Sequence, residues 1–182
     1  LMKYPYFLYD KTIHHAPVFK GLSGMPFVAD MSGENPLLKE IDVRDQTAFQ
    51  AMLEKQMFPR FSWGVAGYLE YRDSLLRDCP QMVNEGRFFH LGLDVIVPLG
   101  TPLNAPLNSI VEETGYEAGE GNYGGYVLLK HEDGGFEPFY SFYGHLGADT
   151  LPKTGKHLKA GQSFAQIGNF HENGNWFYHT HI

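Results

Sequence analysis

Cysteine, positive charge and long apolar runs are all scarce in this chain. One cysteine among 182 residues cannot form a disulfide within the chain. Lys and Arg number 14 against 21 Asp and Glu, and the net charge of -7 argues against a nucleic-acid-binding or anionic-membrane-binding surface. No apolar run is long enough to span a bilayer, and no signal peptide is recognisable. What is abundant is core-forming material, because 43% of the residues are hydrophobic and 15% are aromatic.

The sequence changes in texture near residue 85. Residues 1–85 are aromatic and interrupted by proline, with one clear helical pattern between Val43 and Met57. Asp45 is a candidate N-cap there, and Phe49 and Leu53 follow at helical spacing. We therefore predict an N-terminal extension, residues 1–85, with one or two short helices. Its aromatic content predicts that it packs on the rest of the protein and is not a solvated tail.

Residues 86–182 consist of short β-like runs separated by turn residues. The runs read L-D-V-I-V, N-S-I-V-E-E, G-Y-V-L-L-K-H, P-F-Y-S-F-Y-G-H-L, Q-S-F-A-Q-I-G and W-F-Y-H-T-H-I. Strands at such close intervals, without helices between them, are typical of an antiparallel β domain. The predicted fold class is mainly β, a small antiparallel β-sheet or β-sandwich.

One glycine motif is misleading. Gly119 to Gly124 matches G-x-G-x-x-G, but a dinucleotide site requires these glycines to open a helix. The following residues, Y-V-L-L-K-H, predict a strand, so the motif is interpreted as a hairpin loop. No dinucleotide cofactor is expected.

Five polar residues stand in the aromatic surroundings of the β-like half. An ionised Asp within L-D-V-I-V must be paired or bound to a metal to offset its desolvation. Two His and one Asp are a sufficient ligand set for a catalytic zinc with one open position. Side chains on a strand alternate, so i, i+4 and i, i+2 pairs are each expected to face one way: His90 with Asp94, His179 with His181, and Tyr143 with His145. The candidates are His90, Asp94, His145, His179 and His181.

The collinear motifs of this half resemble the M23 family of zinc metallopeptidases, the lysostaphin-like or LytM-like peptidoglycan endopeptidases. The resemblance spans Phe89 to Ile182. The matching stretches are H-L-G-L-D, P-L-G-T-P-L-N-A-P, G-N-Y-G-G-Y-V-L-L-K-H, Y-G-H-L, L-K-A-G-Q-S-F-A-Q-I-G and H-T-H. A series in this order is far more specific than any single motif.

The resemblance implies a role for each candidate. It implies that His90, Asp94 and His181 bind Zn2+, and that His145 and His179 stand beside the metal as catalytic groups. It also implies a small antiparallel sheet crossed by a groove. Its substrates would be peptide stems or cross-bridges of the bacterial cell wall.

The chain departs from the family pattern in two places. Asn175 to Tyr178, N-W-F-Y, replaces the usual small turn with proline before H-x-H, so a bulkier rim of the groove is expected. No Tyr stands shortly before the first zinc His, where the family uses one to hold the developing oxyanion. Tyr68, Tyr71 and Tyr143 remain alternative substitutes for it.

The mechanism implied is attack by a zinc-bound water, with imidazoles moving the protons. Two alternatives stay open. One is an intracellular zinc peptidase or amidase acting on another amide, and the other is a non-catalytic member that binds peptidoglycan or a protein. The resemblance favours the periplasm or cell envelope, while the missing signal peptide keeps the cytoplasm open. The first residue is Leu1 and not Met, which is compatible with a trimmed chain.

Overall fold

The structure, a computed structural model, describes residue 3, residues 5–132 and residues 135–182. It is mostly β, as the sequence predicts, with four short helices in the described part. No helix within these ranges has the length and apolar character needed to cross a bilayer. The helices are α1 (Leu37–Glu40), α2 (Gln46–Met57), α3 (Asp73–Leu76) and α4 (Pro80–Glu85).

Ten strands form one large and one small sheet in the described residues. The large sheet has the order β1-β2-β3-β10-β7-β6-β5-β8, and β4 pairs with β9 separately. The strands are β1 (Phe27–Ala29), β2 (Gly64–Ala66), β3 (Asp94–Ile96), β4 (Pro102–Asn104), β5 (Ser109–Glu117), β6 (Gly124–His131), β7 (Phe139–Leu146), β8 (His157–Leu158), β9 (Ser163–Gln166) and β10 (His179–His181). Each of the six predicted β-like runs overlaps one of these strands.

The large sheet is mixed and not purely antiparallel. β1 runs parallel to β2, and β2 pairs antiparallel with β3, so residues before position 85 extend the sheet. Three-residue strands such as these are too short for their alternation to be recognised in the sequence. The last strand, β10, lies between β3 and β7, which brings the end of the chain to the middle of the sheet.

The N-terminal part shares a hydrophobic core with the β-rich part. Asp45 caps α2 by accepting a hydrogen bond from the backbone N–H of Ala48, as the sequence predicts. The buried face of α2 places Phe49 against Phe177, with ring centroids 5.1 Å apart. Helices α1, α3 and α4 were not predicted individually, because four to six residues show no full helical period. The domain boundary at residue 85 stays a prediction.

The Gly119–Gly124 motif lies in the loop between β5 and β6, which pair as an antiparallel hairpin. Gly124 has a φ of 60°, in the left-handed region. A Cβ at this position would also collide with the backbone carbonyl of Glu172. Position 124 therefore requires glycine because of its backbone geometry. The motif leads into strand β6 and not into a helix, as a dinucleotide site would need.

Candidate metal centre

Pairing between β3 and β10 forms the base of the site. His181 lies directly opposite Asp94 in this antiparallel pair. His90 precedes β3, so the expectation that it shares one strand face with Asp94 is wrong. Backbone hydrogen bonds instead hold it against the N-terminal part: Leu69 N donates to His90 O at 2.7 Å, and His90 N donates to Glu70 O at 3.0 Å.

Three side-chain atoms converge in a geometry suited to a small cation. Asp94 Oδ1 lies 3.1 Å from His90 Nε2 and 3.3 Å from His181 Nδ1. The two nitrogens are 2.9 Å apart. Ligands of a tetrahedral zinc at about 2.0–2.1 Å are separated by roughly 3.3 Å, close to these distances. Asp94 Oδ1 is buried without a hydrogen-bond donor, as expected for an oxygen that binds a metal.

The charge state of Asp94 suits this role. Burial raises the pKa of Asp94, but the electrostatic interactions with His179 and Arg72 outweigh this effect. The pKa therefore lies well below its ordinary value. Arg72 Nη1 donates to Asp94 Oδ2 at 2.7 Å. Arg72 was not identified from the sequence, because a single Arg in the segment G-Y-L-E-Y-R-D carries no signal of its distant partner. The result is an ionised carboxylate with one oxygen still free.

Two local features orient the imidazoles of His90 and His181. His90 Nδ1 lies 2.6 Å from Gly67 O, so this nitrogen carries the hydrogen and Nε2 presents its lone pair to Asp94 and His181. A Cβ at Gly92 would collide with the imidazole of His181. The glycine of H-L-G-L-D is therefore required to leave room for His181.

His145 and His179 lie beside the three converging groups, with their ring centroids 4.3 Å apart. His179 Nδ1 donates to Phe177 O at 2.7 Å, and its Nε2 lies 3.8 Å from Asp94 Oδ1 without a hydrogen-bond partner. Burial lowers the pKa of His179 to about 4, and burial followed by repulsion from His179 lowers that of His145 well below its ordinary value. Both rings are thus neutral near pH 7.

Strand alternation does not carry through β7 to His145. Tyr143 was expected to face the same way as His145, but it is buried in the main core against Phe164, with ring centroids 5.1 Å apart. His145 has a φ of 63°, which turns the backbone and redirects the side chain. Tyr143 is therefore removed from the candidates for an oxyanion-stabilising tyrosine.

A different tyrosine, Tyr123, lies beside the site. Its ring centroid is 5.4 Å from that of His181 and 5.9 Å from that of His145. Burial, then Glu117, raises its pKa, so the hydroxyl stays protonated. It went unrecognised because it lies in the hairpin loop of G-E-G-N-Y-G, which was interpreted only as a turn. Tyr123 could have been found from the sequence, because it lies in G-N-Y-G-G, which is part of one of the motifs that resemble the family.

The site opens into a groove of about 680 Å³. Trp176 lies on its rim with its ring centroid 6.4 Å from that of His145, so the expected bulk is present. The N-terminal part contributes Leu69, Arg72, Leu76 and Met82 to the lining, and the β-rich part contributes Tyr123 and Trp176. The N-terminal part thus forms one wall of the groove.

Known proteins resemble part of this chain. The family model described as Peptidase family M23 matches residues 88–182. An uncharacterized metalloprotease of Haemophilus influenzae is 40% identical over 80 residues, which are 44% of this chain and 15% of that protein. The peptidoglycan DD-endopeptidase ShyC of Vibrio cholerae is 34% identical over 79 residues, 43% of this chain and 16% of that protein. The matched segments are thus about one sixth of the curated relatives.

Two solved structures are also similar in part. A zinc-containing peptidase from Vibrio cholerae is 24% identical with a TM-score of 0.43, covering 52% of this chain and 26% of that one. A mutant catalytic domain of EnpA, a prophage-encoded M23 protein from Enterococcus faecalis, is 26% identical with a TM-score of 0.42. That comparison covers 51% of this chain and 65% of the EnpA chain.

Proposed function

The chain belongs to peptidase family M23, and we propose that it is a zinc-dependent endopeptidase that cleaves peptide bonds in peptidoglycan stems or cross-bridges. The observation that carries the proposal is the convergence of His90 Nε2, Asp94 Oδ1 and His181 Nδ1 at the base of an open groove. Three ligands with an open side are the arrangement of catalytic zinc sites.

The donor set favours zinc over harder cations. Two imidazole nitrogens and one carboxylate oxygen suit zinc, whereas magnesium and calcium prefer oxygen ligands alone. Bound zinc supplies a Lewis acid and lowers the pKa of its water to about 7. In this proposal His90, Asp94 and His181 hold the metal through the three atoms that converge.

The flanking imidazoles move the protons. His179 uses its Nδ1 hydrogen on Phe177 O, so its buried and unpartnered Nε2 is the proton acceptor that faces the site. His145 has an unpartnered Nδ1 and lies against His179 and Tyr123. We assign His145, with Tyr123, to the developing oxyanion and to the leaving amine, because a neutral imidazole and a phenol both donate hydrogen bonds.

The substrate class is supported by the relative named peptidoglycan DD-endopeptidase, which is 34% identical to this chain over 79 residues. Peptidoglycan as the substrate would place the working protein in the cell envelope. A binding module would not need two neutral, unpartnered imidazole nitrogens beside a metal site. These groups therefore favour hydrolysis over binding alone.

Elemental analysis of the purified protein, followed by mass analysis of digests, tests the proposal. We expect one zinc per chain and new peptide termini in purified peptidoglycan, with none from His179→Ala. Zinc with cleavage of short soluble peptides but not of peptidoglycan would assign the protein to another peptidase class. Absence of zinc and of products would leave a binding module.

A further inference from the structure

A buried chain of charged groups connects the N-terminal part to Asp94. Arg72 is 2% exposed and Asp94 is 1% exposed. Arg72 Nη1 donates to Asp94 Oδ2 at 2.7 Å, and its Nε donates to Glu70 Oε2 at 2.8 Å. The other oxygen of Glu70 accepts the backbone N–H of Met31 at 2.7 Å. Of these connected groups, all except Asp94 lie before residue 85.

The geometry determines which oxygen of Asp94 is available. A guanidinium is always charged, and its donors point in fixed directions. It occupies Oδ2, while Oδ1 has no donor and faces the imidazoles of His90 and His181. We infer that Arg72 is a positioning residue that makes Asp94 bind metal through one oxygen only. This inference rests on the proposed zinc site.

Glu70 has a distinct part in the arrangement. A bare guanidinium close to a divalent cation would repel it, and the repulsion is strong where water is excluded. The carboxylate of Glu70 cancels the charge of Arg72 without removing its hydrogen bond to Asp94. The pair thus contributes orientation with little net charge at the metal.

A charge-balanced double variant isolates this role. Glu70→Gln/Arg72→Gln removes one positive and one negative charge together, so the net charge near the metal is unchanged. The matched control is Asp42→Asn/Arg44→Gln, because Asp42 and Arg44 form an exposed ion pair with the same spacing. Zinc affinity is measured at one pH by competition with a chelator. The visible spectrum of the Co2+-substituted protein reports the coordination.

We expect the double variant to bind zinc about 10–100-fold more weakly, the usual effect of removing a partner of a metal ligand. The intensity of its Co2+ bands should also change, because a second oxygen of Asp94 becomes free to bind. The control should match the wild-type protein in both measurements. Arg72→Lys keeps the positive charge but loses the planar guanidinium with its fixed donors. It should therefore lower the zinc affinity less than the double variant does.

A purely structural role gives a different result. The double variant would then lose thermal stability while its folded form keeps the wild-type zinc affinity and Co2+ spectrum, which overturns the inference. If the double variant does not fold, the same two measurements on Arg72→Lys decide. A wild-type protein that binds no zinc refutes the proposed function itself.

An independent observation concerns the substrate. Four apolar side chains, Leu69, Phe88, Phe89 and Leu91, line the groove beside His90, and we call them the apolar ledge. Leu69, Phe89 and Leu91 are 57%, 58% and 68% exposed. Leu69 also has a φ of 62°, a conformation that is strained for a bulky residue. Strain that holds an apolar side chain over a groove points to a use for that side chain.

We also infer that the apolar ledge binds an apolar side chain of the peptide next to the scissile bond, so that an all-glycine bridge is a poor substrate. This rests on the proposed function. Grooves lined by exposed apolar groups with a few polar groups are typical of ligand sites. Glycine offers this ledge no side chain to cover.

Two fluorogenic peptides test the ledge, pentaglycine and its analogue with one glycine beside the central bond replaced by leucine. We expect about tenfold higher kcat/KM for the leucine peptide, a usual preference of an apolar pocket. Leu69→Asn should reduce this ratio toward one, because Asn adopts the left-handed conformation without an apolar side chain. The control is Leu99→Asn, at an exposed turn residue outside the groove, and it should keep the ratio.

Equal cleavage of the two peptides by the wild-type protein overturns the ledge inference and leaves the proposed function intact. If the protein cleaves peptidoglycan but neither peptide, each peptide is tested as an inhibitor of peptidoglycan digestion. Equal inhibition by the two peptides then also overturns the ledge inference. A dimer that Leu69→Asn dissociates would show that a second copy covers the ledge, which also overturns it. No cleavage of any of the three substrates refutes the proposed function.

Discussion

The two parts of this molecule contribute different things to one site. The β-rich part carries His90, Asp94 and His181, the groups that converge on one point, together with the two flanking imidazoles. The N-terminal part carries contacts that orient two of them, through Gly67 for His90 and Arg72 for Asp94. His90 and Asp94 are therefore separated in the sequence from the groups that orient them, and only the folded structure joins them. A motif search finds the first set and misses the second.

The cores differ in the same way. The main cluster is built mostly by the β-rich part, with residues such as Val111, Val127 and Phe164, and it includes Phe19 of the N-terminal part. The second cluster joins helix α2 to Ile96 of β3 and to Phe177. The second core exists only when both parts are present, so the support of the site depends on the whole chain.

Removing the N-terminal part should have the largest effect. A chain that begins at Asn84 loses strand β2 and helix α2, and it leaves Ile96 and Phe177 exposed and Asp94 without Arg72. We expect an insoluble or unfolded protein, measured by circular dichroism and by recovery in the soluble fraction. A shorter chain with the stability and turnover of the full one would show that the N-terminal part does not support the site.

Loss of a ligand from the β-rich part comes next. His181→Ala should leave a folded protein without stoichiometric zinc and without peptidase activity, because two ligands do not complete the site. His157→Ala, at an exposed strand position, serves as the control and should keep both. Zinc content by elemental analysis decides, and retention at wild-type affinity in His181→Ala would remove this residue from the ligand set.

The flanking imidazoles should separate binding from catalysis. His145→Ala and His179→Ala are expected to keep zinc and to lose roughly 10²–10⁴-fold in kcat, the usual contribution of a general acid or base. Zinc content and turnover are measured on the same preparations. Loss of zinc from His179→Ala together with retention in His181→Ala would reverse the roles of the two residues in H-T-H.

The smallest effect is expected at a polar contact between the two parts. Gln50 Oε1 accepts the backbone N–H of Tyr178 at 2.8 Å, just before strand β10. Gln50→Ala should lower the free energy of unfolding by about 1 kcal/mol, measured by urea denaturation, with unchanged zinc affinity. Gln56→Ala is the matched control, because the Gln56 amide contacts only Met52 of the same helix among the hydrogen bonds described. Equal losses from both would show that the contact to Tyr178 adds nothing.

Much of the fold and of the site could be predicted because short sequence patterns indicate it. The helix after Asp45 follows from a cap and a helical period, and six strands follow from their apolar runs. The family was recognisable from collinear motifs and is confirmed by the match over residues 88–182. The expectation that strand alternation aligns His90 with Asp94 and Tyr143 with His145 was wrong. His90 lies outside β3, and a positive φ turns the backbone at His145.

By itself, the sequence determined which groups are available for chemistry: two imidazoles and a carboxylate for a metal, two more imidazoles beside them, and an apolar β framework. These are properties of residue types and of short spacings, which a linear sequence displays directly. Only the tertiary structure decided that β10 inserts beside β3, that Arg72 occupies one oxygen of Asp94, and that Leu69 lines the groove. The contact between Arg72 and Asp94 joins residues 22 positions apart, and the chain has no local pattern that records which distant partner a buried charge will meet.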